Sequence, residues 1–352
     1  MELTREMHKQ TLVQLGQLCG LWGTSTPWPG FECGLNQEEF DRFDARIEAA
    51  FHHNGWFDAT EVRRALRGLS EMLEESAVSN WLSSYPEPTK SSKSIGLIFA
   101  GNIPLVGLHD LLCVLASGHS AQVKLSAHDT ILPAGVIDVL TTLQPAYAER
   151  IQELEGQKMQ GHDAVIATGS NNTSRYFAQY FGNVPHVIRQ NRNSVAIIDQ
   201  DATEEELRAL GEDIFAFYGL GCRSVSKVYF PDGFEKDRFF NAIFPLSDVV
   251  NHNKYANNYD YIKSIWLLNE EDLLDNGFVL LKQDQGLASP TGSLFWESYA
   301  DRTALQTQLA DREAEIQCVV ARDGVPFGKA QQPGLNDYAD RLDTMEWLHG
   351  LV

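Results

Sequence analysis

The chain has 352 residues, of which 43% are hydrophobic and 22% charged. This length suits two domains or one large α/β unit, and the composition is that of a globular protein rather than a disordered one. Lys and Arg number 28 against 48 Asp and Glu, which gives a net charge of −20. This charge opposes attraction to nucleic acid and to anionic membranes, so we expect neither as a partner. An anionic substrate would need a local basic site.

Five widely spaced cysteines form no Cys-x-x-Cys pair, and no histidine cluster has metal-ligand spacing. This pattern argues against disulfides and against a metal site. The amino terminus lacks the apolar stretch of a signal peptide, and no uncharged run approaches the ~20 residues that cross a bilayer. We therefore expect a cytoplasmic protein.

Residues 1–90 are predicted to form a helical segment. Asn36 followed by Glu39, and Asp58 followed by Glu61, are capping-box patterns that begin helices. The first of these helices should end near 53–55. Prolines and a Ser/Lys cluster at 86–94 then predict a boundary.

From residue 95 onward, short apolar runs alternate with amphipathic stretches. Strands are predicted at 95–99, 121–125, 164–167, 194–198, 226–230, 265–268 and 278–281, and helices at 106–116, 131–143, 173–181 and 204–217. Repeated strand-helix units with right-handed crossovers indicate a mostly parallel sheet.

Three loops beside these strands carry unusual residues. They are Gly-Asn-Ile-Pro at 101–104, Thr-Gly-Ser at 168–170 and Gly-Leu-Gly-Cys-Arg at 219–223. Ligands of open α/β sheets collect at the carboxyl ends of strands, where the first two loops lie. No Gly-x-Gly-x-x-Gly follows a strand and begins a helix, so any nucleotide must be held in another way.

Cys222 is the best nucleophile candidate in the sequence. It sits in a glycine-rich turn, where the backbone lets a substrate approach, and the positive charge of Arg223 favours a thiolate. A small buried hydrophobe is the equally weighted alternative. Cys113 lies within an apolar helix and is expected to pack in the core.

These loops, in this order, resemble the aldehyde dehydrogenase superfamily, and in particular its LuxC-type fatty acyl-CoA reductases. The match also includes Val-Lys-Leu-Ser at 123–126 and Pro-Phe-Gly-Lys at 326–329, which is similar to the superfamily's closing loop. The resemblance implies an aldehyde dehydrogenase-like α/β fold. It implies a helical segment at 1–90, a Rossmann-type nucleotide-binding domain at 91–200, and a catalytic domain with a closing segment at 201–352.

The resemblance also implies roles for individual residues. Cys222 would attack a carbonyl, and the oxyanion would accept hydrogen bonds from the Asn102 amide and the Cys222 backbone N–H. The residues that would hold the cofactor are Lys124, Ser126, Thr168, Gly169 and Ser170. Plainer alternatives are a turn residue at Asn102, an edge lysine at Lys124 and a simple helix cap at 168–170.

One departure from the superfamily concerns the general base. Aldehyde-oxidising members carry a glutamate about thirty residues before the cysteine, where it activates water. Arg189 occupies that place here, which disfavours hydrolysis of an acyl-enzyme and suits a reductase. Arg189, His109 and Gly221 are expected to contact the substrate, although a structural histidine is at least as probable at position 109. The positive charge that a coenzyme A or NADP phosphate needs would come from Arg175, Arg189, Arg192, Arg223 and Lys227, for each of which a solvated surface position is the alternative.

The resulting prediction is an enzyme that reduces an acyl-CoA, of a fatty-acyl type, to the aldehyde with NADPH. The resemblance implies a preference for NADPH, because Ala127 stands where NAD-preferring relatives often carry a glutamate that would repel a 2′-phosphate. Alternatives are an acyl-phosphate reductase, a hydrolytic aldehyde dehydrogenase and a non-catalytic protein that binds acyl groups or nucleotide. An acyl-protein synthetase or a second copy of the chain is the expected protein partner.

Overall fold

The computed structural model describes residues 3–154, 156, 158–169, 176–177 and 179–351. The chain forms two compact units, residues 1–190 with 332–352, and residues 191–331. The predicted helical segment at 1–90 therefore shares a unit with the first strands. The division of the chain into nucleotide-binding and catalytic parts stays a prediction.

The helices and strands are numbered in chain order over the described residues. The helices are α1 Arg5–Gly23, α2 Gln37–His53, α3 Ala59–Met72, α4 Glu75–Ser83, α5 Leu108–Ala116, α6 Ile131–Leu143, α7 Glu204–Phe215, α8 Lys236–Ile243, α9 Asn253–Leu268, α10 Arg302–Asp311 and α11 Thr344–His349. The strands are β1 Ser94–Ile98, β2 Ser120–Lys124, β3 Ile151–Glu153, β4 Ala164–Thr168, β5 His186–Arg189, β6 Asn193–Ile197, β7 Val225–Pro231, β8 Leu273–Asp275, β9 Leu280–Gln283, β10 Ser293–Tyr299 and β11 Ile316–Val320.

Both predicted helix starts near the amino terminus are confirmed. Asn36 accepts a hydrogen bond from the Glu39 backbone N–H, and the Glu39 carboxylate accepts one from the Asn36 N–H, each at 2.9 Å. Asp58 accepts from the Glu61 N–H at 3.1 Å. These side chains satisfy backbone donors that have no partner within the first helical turn.

The sheet of the first unit has five strands in the order β3-β2-β1-β4-β5, and every neighbouring pair is parallel. The chain runs outward from β1 through β2 to β3 and then returns to β4 on the other side of β1. The loops that follow β1 and β4 therefore border the point where strand order reverses. Ligands bind at this point in open α/β sheets.

The sheet of the second unit has six strands in the order β11-β6-β7-β10-β9-β8. Its pairs are parallel except for β8 with β9, which is antiparallel. Strand β7 lies inside the sheet, and Val228 and Phe230 are fully buried. The predicted α/β class with mostly parallel sheets is confirmed.

The strand predicted at 265–268 is wrong, because these residues form the last turn of α9. Tyr255, Tyr259, Ile262 and Trp266 are the buried residues of that helix. Their spacing of four, three and four is a helical stripe that begins ten residues before the apolar run. Leu268, which made the run look like a buried strand, is 83% exposed.

Strands β3, β5, β8, β10 and β11 were not predicted. Of the predicted helix at 173–181, residues 176–177 and 179–181 lie within the described part of the chain, and they are helical. Among the helices that the structure describes, none is long and apolar enough to cross a membrane.

Candidate active site

Cys222 lies in a turn, residues 217–224, that leads into the amino end of β7; we call it the nucleophile turn. The Cys222 carbonyl accepts a hydrogen bond from the Ser194 hydroxyl at 2.9 Å. Because the single hydroxyl proton of Ser194 is used there, the Cys318 thiol, 3.1 Å away, donates to the Ser194 oxygen. The Cys222 backbone is thus held by the start of β6, and the Ser194 hydroxyl that holds it is itself bound by Cys318 of β11.

The nucleophile turn begins with three successive residues in the left-handed region. Phe217, Tyr218 and Gly219 have φ of 52°, 56° and 75°. A non-glycine residue pays an energetic cost for this conformation, which persists where the surroundings hold it. The Tyr218 ring stacks on His252 with centroids 4.1 Å apart. Backbone strain of this kind clusters at functional sites and supports a special role for the turn.

The five cysteines differ in access to solvent. Cys19, Cys113 and Cys318 are buried, whereas Cys33 and Cys222 are partly exposed. Burial raises the pKa of the Cys19 thiol to about 12 and that of Cys113 well above its usual value. Of the two accessible thiols, Cys222 alone sits in a strained turn at a strand end.

Residues 326–331, which we call the closing segment, contact the nucleophile turn within the second unit. The Arg223 Nε donates to the Ala330 carbonyl. The Gln331 amide donates to the Ser224 hydroxyl at 3.1 Å, and that hydroxyl also accepts from the Gly221 N–H at 3.2 Å. Gly221, predicted to contact substrate, is therefore buried and bound to its own turn.

Asn102 is exposed in the loop that follows β1, in the first unit. Leu105, which ends this loop, has φ of 61° and donates its N–H to the Asp129 carboxylate at 2.8 Å. A Cβ atom at Gly101 would lie 2.5 Å from the Ser126 hydroxyl, so only glycine permits this approach. The loops that follow β1 and β2 are therefore packed against each other.

A cavity of about 540 Å³ lies at the carboxyl ends of β2 and β3, entirely within the first unit. Its walls include Val123 and Ala127 beside β2, Glu153 of β3, and Arg46 and His53 of α2. This volume is within the range of small-molecule sites, and its position at strand ends fits the adenosine half of a dinucleotide.

The predicted cofactor residues lie around the ends of the same sheet. Lys124 is exposed at the end of β2, and the Ser126 hydroxyl accepts from the His128 N–H at 3.2 Å. Thr168 ends β4, and the Gly169 N–H donates to the Arg189 carbonyl at 3.4 Å. Ser170 lies outside the described residues.

Arg189 is committed to protein groups rather than facing open solvent. It is 4% exposed, and its guanidinium binds both oxygens of Asp110, at 2.6 and 3.3 Å. It also donates to the Thr344 hydroxyl at 2.9 Å and to the Ala339 carbonyl. The predicted substrate contact of Arg189 would require breaking a buried ion pair, so the geometry favours a structural role.

His109 is likewise held within the first unit. Its Nε2 lies 3.1 Å from the Leu335 carbonyl, to which it must donate, and its ring packs near Tyr338. Burial lowers the pKa of His109, so the neutral ring is favoured. These contacts fit the structural alternative for His109.

Lys227 does not supply the surface charge predicted for it. Its side chain is fully buried on β7 and forms an ion pair of 2.8 Å with Glu297 of β10. Burial lowers its pKa, and the Glu297 carboxylate opposes this shift. Arg175, another of the predicted cations, lies outside the described residues.

Two buried carboxylates, Asp129 and Asp213, were not predicted from the sequence. Burial raises the pKa of Asp129 to about 7 and that of Asp213 to about 6. Asp213 was detectable in principle, since it falls within the apolar face that Leu210 and Ile214 define on α7. Asp129 lies in the loop after β2, where no periodic pattern of apolar residues indicates that it is buried.

Solved structures with a similar fold are aldehyde dehydrogenases and related oxidoreductases. Aldehyde dehydrogenase 21 from Physcomitrella patens, in complex with succinate, matches 99% of this chain and 84% of its own, with a TM-score of 0.65 at 11% identity. An oxidoreductase from Marinobacter aquaeolei matches 92% and 75%, with a TM-score of 0.64 at 13% identity. Succinic semialdehyde dehydrogenase from Streptococcus pyogenes, in complex with NADP⁺, matches 90% and 82%, with a TM-score of 0.60 at 13% identity. Identities this low support the fold alone.

No curated protein sequence matches the chain significantly. The sequence model of the acyl-CoA reductase (LuxC) family matches residues 44–243, which is more than half of the chain. This span contains the loop with Asn102, strand β2 with Lys124, and the nucleophile turn with Cys222. The chain therefore belongs to the acyl-CoA reductase (LuxC) family, whose members are enzymes, and it has an aldehyde dehydrogenase-like fold.

Proposed function

We propose that the enzyme reduces an acyl-CoA thioester, of a fatty-acyl type, to the free aldehyde with NADPH, through an acyl group carried on Cys222. The observation that carries this proposal is the accessible Cys222 thiol in a strained turn at the end of a central strand. This turn lies within the residues that match the family. Its cysteine has a fixed backbone and a partly exposed side chain, as suits a nucleophile.

In the proposed reaction, the Cys222 thiolate attacks the thioester carbonyl carbon, and the coenzyme A thiolate leaves and takes up a proton. The acyl group then forms a new thioester with Cys222. The nicotinamide cofactor, when bound, supplies the hydride that reduces this thioester carbonyl. The C–S bond to Cys222 then breaks, which releases the aldehyde and restores the thiolate.

The oxyanion that forms at each addition needs hydrogen-bond donors. We assign this task to the Asn102 side-chain amide and the Cys222 backbone N–H. The Cys222 N–H lies between two fixed backbone groups, since Ser194 binds the Cys222 carbonyl and the Ser224 hydroxyl accepts from the Gly221 N–H. Preorganised donors of this kind stabilise the transition state without a cost of reorganisation when charge develops.

The cavity beside β2 and β3 supports a nicotinamide dinucleotide as the cofactor. The small Ala127 side chain on its wall leaves room for a phosphorylated ribose, and Arg46 of α2, which is paired with Asp138 at 2.7 Å, also lines the cavity. Lys124 ends the strand that forms the cavity floor and can reach a phosphate or a ribose hydroxyl. The chain's own residues thus bind and orient the cofactor by its adenosine end.

The absence of a carboxylate at position 189 supports reduction over hydrolysis. In this place the chain carries an arginine, which also engages the nearby Asp110 carboxylate. Water activation from this position is therefore not expected, and the acyl-enzyme persists until hydride arrives.

The proposal is tested by intact mass spectrometry after exposure to a panel of acyl-CoAs without cofactor, followed by peptide mapping. We expect one acyl adduct on Cys222, its loss in Cys222→Ala, and its retention in the matched variant Cys33→Ser. An adduct on Cys33, or full reductase activity in Cys222→Ala, would contradict the assignment.

The same samples distinguish the alternatives. Faster acylation by an acyl phosphate than by acyl-CoA would indicate an acyl-phosphate reductase. Release of free acid without cofactor would indicate a hydrolytic enzyme. Reversible binding of acyl-CoA with no adduct would indicate a non-catalytic protein.

A further inference from the structure

Asp213 of α7 is a carboxylate buried in the second unit with 1% of its surface exposed. Its two oxygens accept hydrogen bonds from backbone groups of the closing segment. The Gly328 N–H donates to Oδ2 at 2.6 Å, and the Ala330 N–H donates to Oδ1 at 2.8 Å. A single side chain therefore clamps this segment at two points.

The close approach of the closing segment to α7 depends on the residue at position 328. Gly328 has φ of 79°, and a Cβ atom there would lie 3.2 Å from the Ala209 Cβ. Glycine is the residue that adopts this conformation without strain. The backbone conformation of Gly328 and the hydrogen bonds to Asp213 thus favour the same position of the closing segment against α7.

The clamped segment is also the segment that holds the nucleophile turn. The carbonyl of Ala330, whose N–H is bound by Asp213, accepts from Arg223, which directly follows Cys222. One residue later, Gln331 donates to Ser224 at 3.1 Å. The adjacent residues Ala330 and Gln331 thus bind Arg223 and Ser224, which are the two residues that follow Cys222.

These contacts form one continuous path from Asp213 through residues 328–331 to the nucleophile turn. The hydrogen bonds at one end of the path are accepted by the Asp213 carboxylate, and the one at the other end is donated by the Arg223 guanidinium, so charged groups anchor both ends. The opposite side of the turn is held separately, by Ser194 at the Cys222 carbonyl. Asp213 is therefore the point at which the carboxyl-terminal side of the turn is fixed.

We propose that Asp213 is a positioning residue for the nucleophile, which it places by clamping residues 328–330 against the turn that carries Cys222. This inference rests on the proposed role of Cys222. Asp213 itself touches neither the thiol nor the substrate. It acts by keeping the thiol in one position during attack on the carbonyl.

The test compares Asp213→Asn with the wild type in two assays: the rate of Cys222 alkylation by iodoacetamide, and steady-state reduction of acyl-CoA. Asparagine is isosteric but directs an NH₂ group at one of the two backbone N–H donors, so one contact becomes repulsive. A misplacement of about 1 Å can cost ~10²-fold, and we expect kcat to fall by about 10- to 100-fold. We expect the KM for acyl-CoA to change by less than about threefold, because binding groups elsewhere are intact.

Three further variants separate positioning from general stability. Glu205→Gln, on an exposed site of the same helix, is the matched control and should behave as the wild type. Asp213→Glu retains the charge and should keep more activity than Asp213→Asn. Gln331→Ala removes one link of the path without burying a charge, so it reports on the path if Asp213→Asn fails to fold.

Wild-type alkylation rates and kcat in Asp213→Asn and Gln331→Ala would overturn the proposal, as would a lower kcat in Asp213→Glu than in Asp213→Asn. A parallel rise in KM with unchanged kcat would also overturn it. Failure of the proposed function is a separate result, seen as full activity in Cys222→Ala. Alkylation monitors the position of the thiol whatever reaction the enzyme performs.

Discussion

Asp129 and Leu105 are joined by a hydrogen bond of 2.8 Å, from the Leu105 N–H to the Asp129 Oδ2, at a point where Leu105 adopts φ of 61°. The other oxygen of Asp129 is buried without a hydrogen-bond partner. Burial raises the pKa of this carboxyl to about 7. The end of the Asn102 loop is therefore held by a carboxyl group that is poorly solvated in its charged form.

This relationship predicts a pH-dependent gain of stability in Asp129→Asn. The amide oxygen can still accept from Leu105, while the buried charge is removed. In the wild type, the folded state binds a proton between pH 3.8 and about 7 that the unfolded state has lost. Stability contributed by Asp129 is therefore complete below this window and is lost as the pH rises through it.

We expect the free energy of unfolding of Asp129→Asn, relative to the wild type, to increase between pH 4 and pH 7 by up to about 4 kcal/mol. Urea unfolding at pH 4.5, 6 and 8 measures this difference. Asp41→Asn, at an exposed aspartate of the same unit, is the control and should show no such trend. A constant difference at all three pH values would mean that Asp129 titrates normally.

The buried pair of Arg189 and Asp110 leads to a second prediction. Arg189→Met leaves Asp110 without its cation, and breaking a buried pair from one side typically costs about 3–5 kcal/mol. We expect this loss of stability with little change in the KM for acyl-CoA, measured at low temperature where the variant is folded. Urea unfolding and steady-state kinetics check the two parts.

The double variant Asp110→Asn with Arg189→Met is the control for this pair. It removes both charges, so it should recover part of the lost stability. If Arg189 instead contacts substrate as the sequence predicted, the KM will rise in both variants by the same factor, independent of stability.

Elements with a regular hydrophobic periodicity were predicted well from the sequence. The prediction failed where the same run of apolar residues fits both a strand and a helix. The helix at 131–143 was placed at its observed bounds, and the helix caps lie where Asn36 and Asp58 predicted them, with a full capping box at Asn36. At 265–268, four apolar residues fit a strand as well as a helix end. Only the preceding aromatic stripe distinguishes the two.

In the candidate site, the sequence located a motif of neighbouring residues and missed the contacts between residues far apart in the chain. The motif that contains Cys222 is local, and the sequence located it. The partners of Arg189 and Lys227 are residues 79 and 70 positions away along the chain, Asp110 and Glu297. A single sequence does not specify such pairs, so these two residues were expected to serve ligands instead of protein groups.

Asn102 gives a third prediction. If its amide donates to the oxyanion, Asn102→Ala should lower kcat by ~10²–10³-fold and leave the KM for acyl-CoA nearly unchanged, because the contact strengthens only after attack begins. Single-turnover aldehyde formation and steady-state kinetics measure the two effects.

Val106→Ala is the matched control, since Val106 is a partly exposed residue near the same loop. It should have wild-type kinetics. A loss confined to KM in Asn102→Ala would point to a role in substrate positioning, and an equal loss in both variants would point to general loosening of the loop.

The last prediction is a preference for NADPH over NADH. Ala127 lines the cavity beside β2, where a glutamate would repel a 2′-phosphate, and Lys124 lies exposed at the end of the same strand. A phosphate near a lysine gains charge-assisted hydrogen bonds that NADH does not make. We expect a higher kcat/KM for NADPH, a smaller ratio in Lys124→Met, and a shift toward NADH in Ala127→Glu.

Two negative contributions oppose this preference. The net charge of −20 disfavours the more anionic cofactor at long range, but salt screens that field over ~8 Å, whereas a direct contact is screened far less. The Glu153 carboxylate opposes binding of the 2′-phosphate at shorter range, because Glu153 lines the same cavity at the end of β3. Glu153→Gln should therefore raise kcat/KM for NADPH more than for NADH. Equal efficiencies for the two cofactors in the wild type, with ratios unchanged in Lys124→Met and Ala127→Glu, would show that the 2′-phosphate is not recognised at this cavity.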